Sequence, residues 1–236
     1  MLIKQERSII PACDVTEAKY EQLVKETAGI EAIGAYKIGF TLALEIGLPR
    51  AVEIARKYTD KPLIYDHQKA ATDTPHTGEA FAKICKHAGI DAIILFPQAG
   101  PETERAWIDF ARDEDLHVIV GGLMTHPKYV RSEGGYIADE AIIQMYETAA
   151  GLGINDYVVP GNNPEAIKKI RAMLVRERSH PVLYSPGFKV QGGSLEASVR
   201  AAEGHFHPIV GRAIFEAADM SEAAKKICAE LAEIKL

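Results

Sequence analysis

Cysteine is scarce in this sequence. Its 236 residues hold three, Cys13, Cys85 and Cys228, far apart and odd in number. That excludes a disulfide framework and fits buried thiols in a reducing compartment, so a cytoplasmic protein is expected. Paired-cysteine spacings are missing, as is His-Glu-x-x-His among the eight histidines, so no metal is expected. No apolar run is long enough to span a membrane. MLIKQERSII brings in Lys4, Glu6 and Arg7 before any long apolar stretch, and no signal peptide is expected. Positive charge is also in short supply: the net charge is -6, which argues against a broad nucleic-acid footprint and a basic membrane patch. No Gly-x-Gly-x-x-Gly follows the first apolar run, which weakens a dinucleotide-binding reading. Low-complexity segments and long linkers are absent too.

What is present is alternation. Hydrophobic residues make up 47% and charged residues 25% of the chain, enough for a substantial core under an ordinary surface. Eight short apolar runs read as strands: Ser8–Cys13, Ala35–Gly39, Leu63–Tyr65, Ala92–Phe96, His117–Gly121, Tyr157–Val159, Val182–Tyr184 and Pro208–Gly211. Most are apolar on both faces, as parallel strands covered on both sides are. Amphipathic segments lie between them. Glu45–Thr59 puts Ala51, Ile54 and Ala55 on one face, and Thr77–Ala88 puts Ala80, Phe81, Ile84 and Cys85 on one face. Asp139–Leu152 carries Ile142, Ile143, Tyr146, Ala149 and Ala150 as a stripe. Asn163–Val175 opens with Asn-Pro-Glu, suited to N-cap, N1 and N2, and a last helix runs over Ser221–Leu236. Regular βα alternation with eight strands predicts an α/β fold, a (β/α)8 TIM barrel, as a single domain over residues 1–236. An open doubly wound sheet is the alternative.

A barrel of this kind gathers its working groups where strands end. Asp14 follows strand one, Lys37 lies in strand two, and Asp66, Lys69 and Asp73 follow strand three in DHQKAATD. Met124-Thr125-His126 follows strand five, SPGFKVQGG strand seven, and Gly211-Arg212 strand eight. Lys37 sits between Tyr36 and Ile38, where an ammonium is costly unless paired or solvated at the mouth. Lysines and aspartates alternating in space would hold one another ionised. Gly192, Gly193, Gly211 and Arg212 suit a phosphate, held by close backbone approach and a planar bidentate donor. Two histidines, His205 and His207, fall on one strand face, and His67, His76 and His126 are placed near the mouth.

PACD, YKIGF, the Asp/Lys/Asp cluster, LMTHP, SPGFKVQGG and IVGRAIFEA occur in that order on successive strand ends. Together they resemble the orotidine 5′-monophosphate decarboxylase family over nearly the whole chain. The resemblance implies decarboxylation of orotidine 5′-monophosphate to UMP in de novo pyrimidine synthesis, without metal or cofactor. Asp14 and Lys37 would contact ribose hydroxyls, Asp66 would lie beside the substrate carboxylate, and Lys69 would supply the proton that replaces CO2. Asp73 and Thr77 would reach into a partner's site, implying a homodimer with shared active sites. Thr125 stands where the family usually has a serine reading the pyrimidine amide. Gln191, Gly192, Gly211 and Arg212 would hold the phosphate, and the loop at 188–193 would close over it.

The family's usual spacing is Asp-x-Lys-x-x-Asp; here it is Asp-x-x-Lys-x-x-x-Asp, with Thr74 where isoleucine is common. One extra residue on a regular strand turns the lysine to the other face, so the backbone is expected to leave regular pairing between Asp66 and Lys69. Two other readings stand beside this one. A Mg-dependent sugar-phosphate decarboxylase or hexulose-phosphate synthase of the same barrel superfamily would need an acid at the position of Lys37. A non-catalytic nucleotide-phosphate sensor would need the phosphate grip alone.

Overall fold

A strand that is apolar at every position must be covered on both faces, and the computed structural model does this with a closed parallel barrel. It describes residues 1–177, 179–188 and 194–235, with the backbone alone at Gln68 and Lys69. The strands are β1 (Ile10–Cys13), β2 (Tyr36–Gly39), β3 (Leu63–Ala70), β4 (Ala92–Leu95), β5 (His117–Gly121), β6 (Asp156–Val158), β7 (Val182–Pro186) and β8 (Phe206–Val210). They pair in sequence order and β8 closes on β1. Around them lie α1 (Glu17–Thr27), α2 (Phe40–Ile46), α3 (Leu48–Arg56), α4 (Thr77–His87), α5 (Pro101–Asp113), α6 (Asp139–Gly151), α7 (Pro164–Arg176), α8 (Leu195–Ala202), α9 (Arg212–Phe215) and α10 (Met220–Glu233). Among the described residues, no helix is long and apolar enough to cross a membrane. The three cysteines are buried and free.

Period-two alternation sorts the strand side chains into two apolar layers. Ile10, Ala12, Ala35, Ile64, Ile94, Ile119, Val158 and Ile209 fill the barrel. Their neighbours Ile9, Cys13, Tyr36, Ile38, Leu63, Tyr65, Ile93 and Leu95 pack outward under the helices. Each fully buried aliphatic side chain contributes about 2 kcal/mol relative to exposure. At the barrel's N-terminal end the filling is polar. The Tyr184 hydroxyl donates to Asp156 Oδ1 at 2.8 Å, and Ser8 Oγ shares a hydrogen bond with His207 Nδ1 at 2.9 Å. His117 Nε2 lies 2.9 Å from Asp156 Oδ2.

Three helix expectations change. The segment Glu45–Thr59 is two helices, α2 and α3, because Gly47 at φ 75° breaks the first and Pro49 opens the second. α10 is capped by Asp219, whose side chain accepts from Glu222 N at 2.8 Å, ahead of the expected start at Ser221. On α4 the buried face is Gly78, Ala82 and Cys85, while Ala80 and Ile84 are exposed. The indole of Trp107 on α5 lies against Gly78, so the small residues of α4 turn inward to admit it. The N-cap of α7 is as expected, with Asn163 accepting from Ala166 N at 3.0 Å.

Glu104, in the first turn of α5, is 2% exposed, and its Oε1 has no partner among the described residues. Burial pushes its carboxyl up to about 8, against a small opposing pull from Arg105. Burial, helped by His205, pushes His207 down to about 4 from an ordinary 6.5, against a weaker pull from Asp156. Between pH 4.5 and 8 the folded chain therefore holds a proton on Glu104 that the unfolded chain does not, so stability falls as pH rises. His207 acts in the opposite sense between pH 4 and 6.5, where the unfolded chain holds the extra proton. Above pH 6.5 only the Glu104 effect remains of the two. Urea unfolding should show about 2 kcal/mol lost between pH 6.5 and 8 in the wild type, and Glu104→Gln should abolish most of that loss. An identical pH slope in both proteins would refute the assignment.

Candidate active site

The inward positions at the C-terminal ends of neighbouring strands converge on one cavity of about 330 Å³. Ala12 pairs with Lys37, Lys37 with Ile64, and Gly39 with Asp66. This register lays Asp14, Lys37 and Asp66 side by side, although 23 and 29 residues of chain separate the lysine from the two acids. Lys37 Nζ donates to Asp14 Oδ2 at 3.2 Å and to Asp66 Oδ2 at 3.1 Å. Burial alone would lower the lysine's pKa, but Asp66 and then Asp14 outweigh it and hold the ammonium above the ordinary lysine range. Position 39 must be glycine for this: a Cβ there would lie 1.7 Å from Asp14 Oδ1.

Thr125, Gly211 and Arg212 line the same cavity, with Met124, Phe96, Pro186, Gly187 and Phe188. Arg212 is exposed at the start of α9 and Gly211 is its N-cap. The cavity therefore has an ionic floor, apolar walls from Ile94, Phe96, Val158 and Ile209, and a cationic rim. Such a site can hold an anion at its edge and a flat, partly polar group over the charges. Sequence reasoning missed Asn162, whose Nδ2 donates to the Thr125 carbonyl at 2.9 Å and fixes the loop after β5. The Pro160-Gly161-Asn162-Asn163 turn after β6 was the signal available for it.

Not every expected residue meets here. Asp73 and Thr77 do not line this chain's cavity; Asp73 is exposed, with Oδ1 accepting from Thr74 N at 2.7 Å. His67, His76 and His126 do not line it either. His67 stands on the outer face of β3, His76 precedes α4, and His126 packs edge-on against Tyr129. The side chain of Lys69, and Gln191, Gly192 and Gly193, lie outside the described residues.

The lengthened segment behaves as its spacing predicts. β3 pairs regularly with β4 at Tyr65↔Ile93, then only at Ala70↔Leu95. Five steps on β3 (65 to 70) oppose two on β4 (93 to 95), so pairing breaks across Asp66–Lys69. The ladder is restored by Phe96 N donating to the Ala70 carbonyl at 2.8 Å, which carries β3 past the expected end at Tyr65. Ala71 then adopts φ 66°, a left-handed turn unusual for a residue with a side chain.

Known proteins share this architecture. The orotidine 5′-phosphate decarboxylase of Methanosarcina barkeri is 32% identical over 235 residues, covering 97% of this chain and 96% of its own. That of Methanococcus maripaludis is 31% identical over 220 residues, covering 91% and 93%. The crystal structure of the Methanocaldococcus jannaschii enzyme complexed with the inhibitor BMP superposes with a TM-score of 0.83 at 27% identity, covering 96% of this chain and 99% of that one. The Pyrococcus horikoshii enzyme gives 0.79 at 27% identity, covering 96% and 100%. With residues 7–227 matching its sequence pattern, the chain belongs to the orotidine 5′-phosphate decarboxylase / HUMPS family.

Proposed function

We propose that this chain decarboxylates orotidine 5′-monophosphate to UMP, as a step of de novo pyrimidine synthesis, using neither metal nor cofactor. One observation carries the choice within the family: the Lys37 ammonium lies between Asp14 and Asp66, at 3.2 and 3.1 Å. A divalent cation would need those carboxylates, and a third acid where Lys37 stands. The whole chain, residues 1–236, acts as one catalytic domain, in the cytoplasm, and pairs into a homodimer.

Breaking the bond from C6 to the carboxylate releases CO2 and leaves the electron pair in the ring plane, where the π system cannot take it up. Stabilisation must then come from a fixed positive charge, which is most effective in a site closed to water. Lys69 supplies that charge and gives its proton to C6. Lys37, held by its two carboxylates, contacts the ribose together with Asp14. Asp66 keeps the ammonium groups charged and oriented beside the substrate carboxylate. Asp73 and Thr77 complete the site of the partner subunit, which accounts for their place outside this chain's own cavity. Thr125 reads the pyrimidine amide. Gln191, Gly192, Gly211 and Arg212 hold the phosphate, whose binding energy closes the 188–193 loop.

The test is to incubate the pure protein with orotidine 5′-monophosphate in EDTA and follow the loss of its ultraviolet absorbance. Turnover should proceed at the same rate with and without the chelator. Activity that vanishes in EDTA would favour the Mg-dependent sister enzymes. Tight UMP binding without turnover would favour a sensor.

A further inference from the structure

The stretch from Asp66 to Asp73 is where the chain is longer than its family's pattern, and side chains outside the cavity grip it at both ends. At the front, Tyr65 and His67 keep strand alternation on the outer face of β3, and the Tyr65 hydroxyl shares a 2.5 Å hydrogen bond with His67 Nδ1. Both rings pack on Phe81 of α4, with centroids 6.0 and 5.8 Å away. At the rear, α5 donates to two consecutive carbonyls: Thr103 Oγ1 to Asp73 O at 2.9 Å and Trp107 Nε1 to Thr74 O at 3.1 Å. Thr77 Oγ1 donates to the same Thr74 carbonyl at 2.7 Å. Phe81 links the two grips, its ring centroid 5.1 Å from that of Trp107. Space for the indole exists because residue 78 is glycine; a Cβ there would lie 2.7 Å from it.

Hydrogen bonds to carbonyls fix the path of a backbone whatever its side chains are. Here they fix it on either side of Thr74, just past a non-glycine residue in the left-handed region. Thr103 and Trp107 are both buried, so each donor needs its acceptor and the segment has few other places to lie. We infer that Thr103 and Trp107 are positioning residues for the decarboxylation: they set the path of Asp73–Thr74, and with it the reach of Asp73 into the partner's site. This rests on the decarboxylase reading. It explains how a segment with an added residue on each side of Lys69 can still deliver Asp73: the surplus is taken up between two fixed ends.

Trp107→Phe keeps the ring against Phe81 and Gly78 and removes only the N–H. Thr103→Val keeps the shape and removes the hydroxyl donor, and Thr103→Ser keeps the donor. In steady-state kinetics on orotidine 5′-monophosphate, Trp107→Phe and Thr103→Val should each lower kcat about tenfold, with KM changed less than about twofold. Thr103→Ser should retain wild-type kcat. Placed on Asp73→Asn, either substitution should cost less than about a further twofold, because the residue it positions is already disabled. Wild-type kcat in both variants, or a full tenfold loss on top of Asp73→Asn, would overturn the inference. Should Trp107→Phe fail to fold, the Thr103→Val and Thr103→Ser pair decides alone. No turnover by the unsubstituted chain would overturn the decarboxylase reading and this inference with it, an outcome distinct from active variants.

Discussion

Lys69→Ala is expected to lose turnover by at least about ten-thousandfold while binding UMP with nearly wild-type affinity. Two effects combine at this residue under the proposed mechanism. An ammonium fixed where negative charge develops is worth about a hundred- to a thousandfold, by analogy with single donors to other developing anions. A positioned proton donor adds about a hundred- to ten-thousandfold. Neither effect is drawn on when the product binds, because UMP carries no developing charge at C6. The measurement pairs a kcat determination with a UMP titration. Near-normal turnover would remove Lys69 as proton donor. A collapse of UMP affinity matching that of kcat would make it a binding group instead.

Lys37→Met carries the second largest expected effect, a fall in kcat of about a hundred- to a thousandfold. Methionine approximates the lysine's length and shape, so the loss isolates the charge. Without the ammonium, Asp14 and Asp66 lose the charge that Lys37 places between them. The variant should stay folded, because both carboxylates keep some access to solvent at the mouth and removing Lys37 also removes a buried charge. Kinetics and a thermal unfolding curve on the same preparation check this. A folded variant with wild-type kcat would take Lys37 out of the charge network and weaken the argument that separates this chain from its metal-dependent relatives.

Much of the site was legible because strand alternation is a local property. Asp14, Lys37 and Asp66 share the inward parity of Ile10, Ala12, Ala35 and Ile64, and a reader of the chain can assign that parity without knowing which strands are neighbours. The same holds for the N-cap at Asn163, where donor and acceptor lie three residues apart. The reading of α4 shows where local pattern runs out. Its apolar residues fit one stripe on paper, but Trp107 of another helix decided which face turned inward.

By itself, the sequence determined the order of strands and helices, the face each strand side chain takes, and the set of charged and glycine positions that end the strands. Tertiary structure alone decided three things. It brought Lys37 within hydrogen-bond distance of acids far away in the chain, because parallel register is fixed by packing between strands. It placed Asp73 and Thr77 outside their own chain's cavity. It also met the added residues around Lys69 with a break in the pairing of β3 and β4. A periodic pattern tells where a side chain points while the strand stays regular. Only the neighbouring strand, which restores the ladder at Ala70, determines where regularity ends.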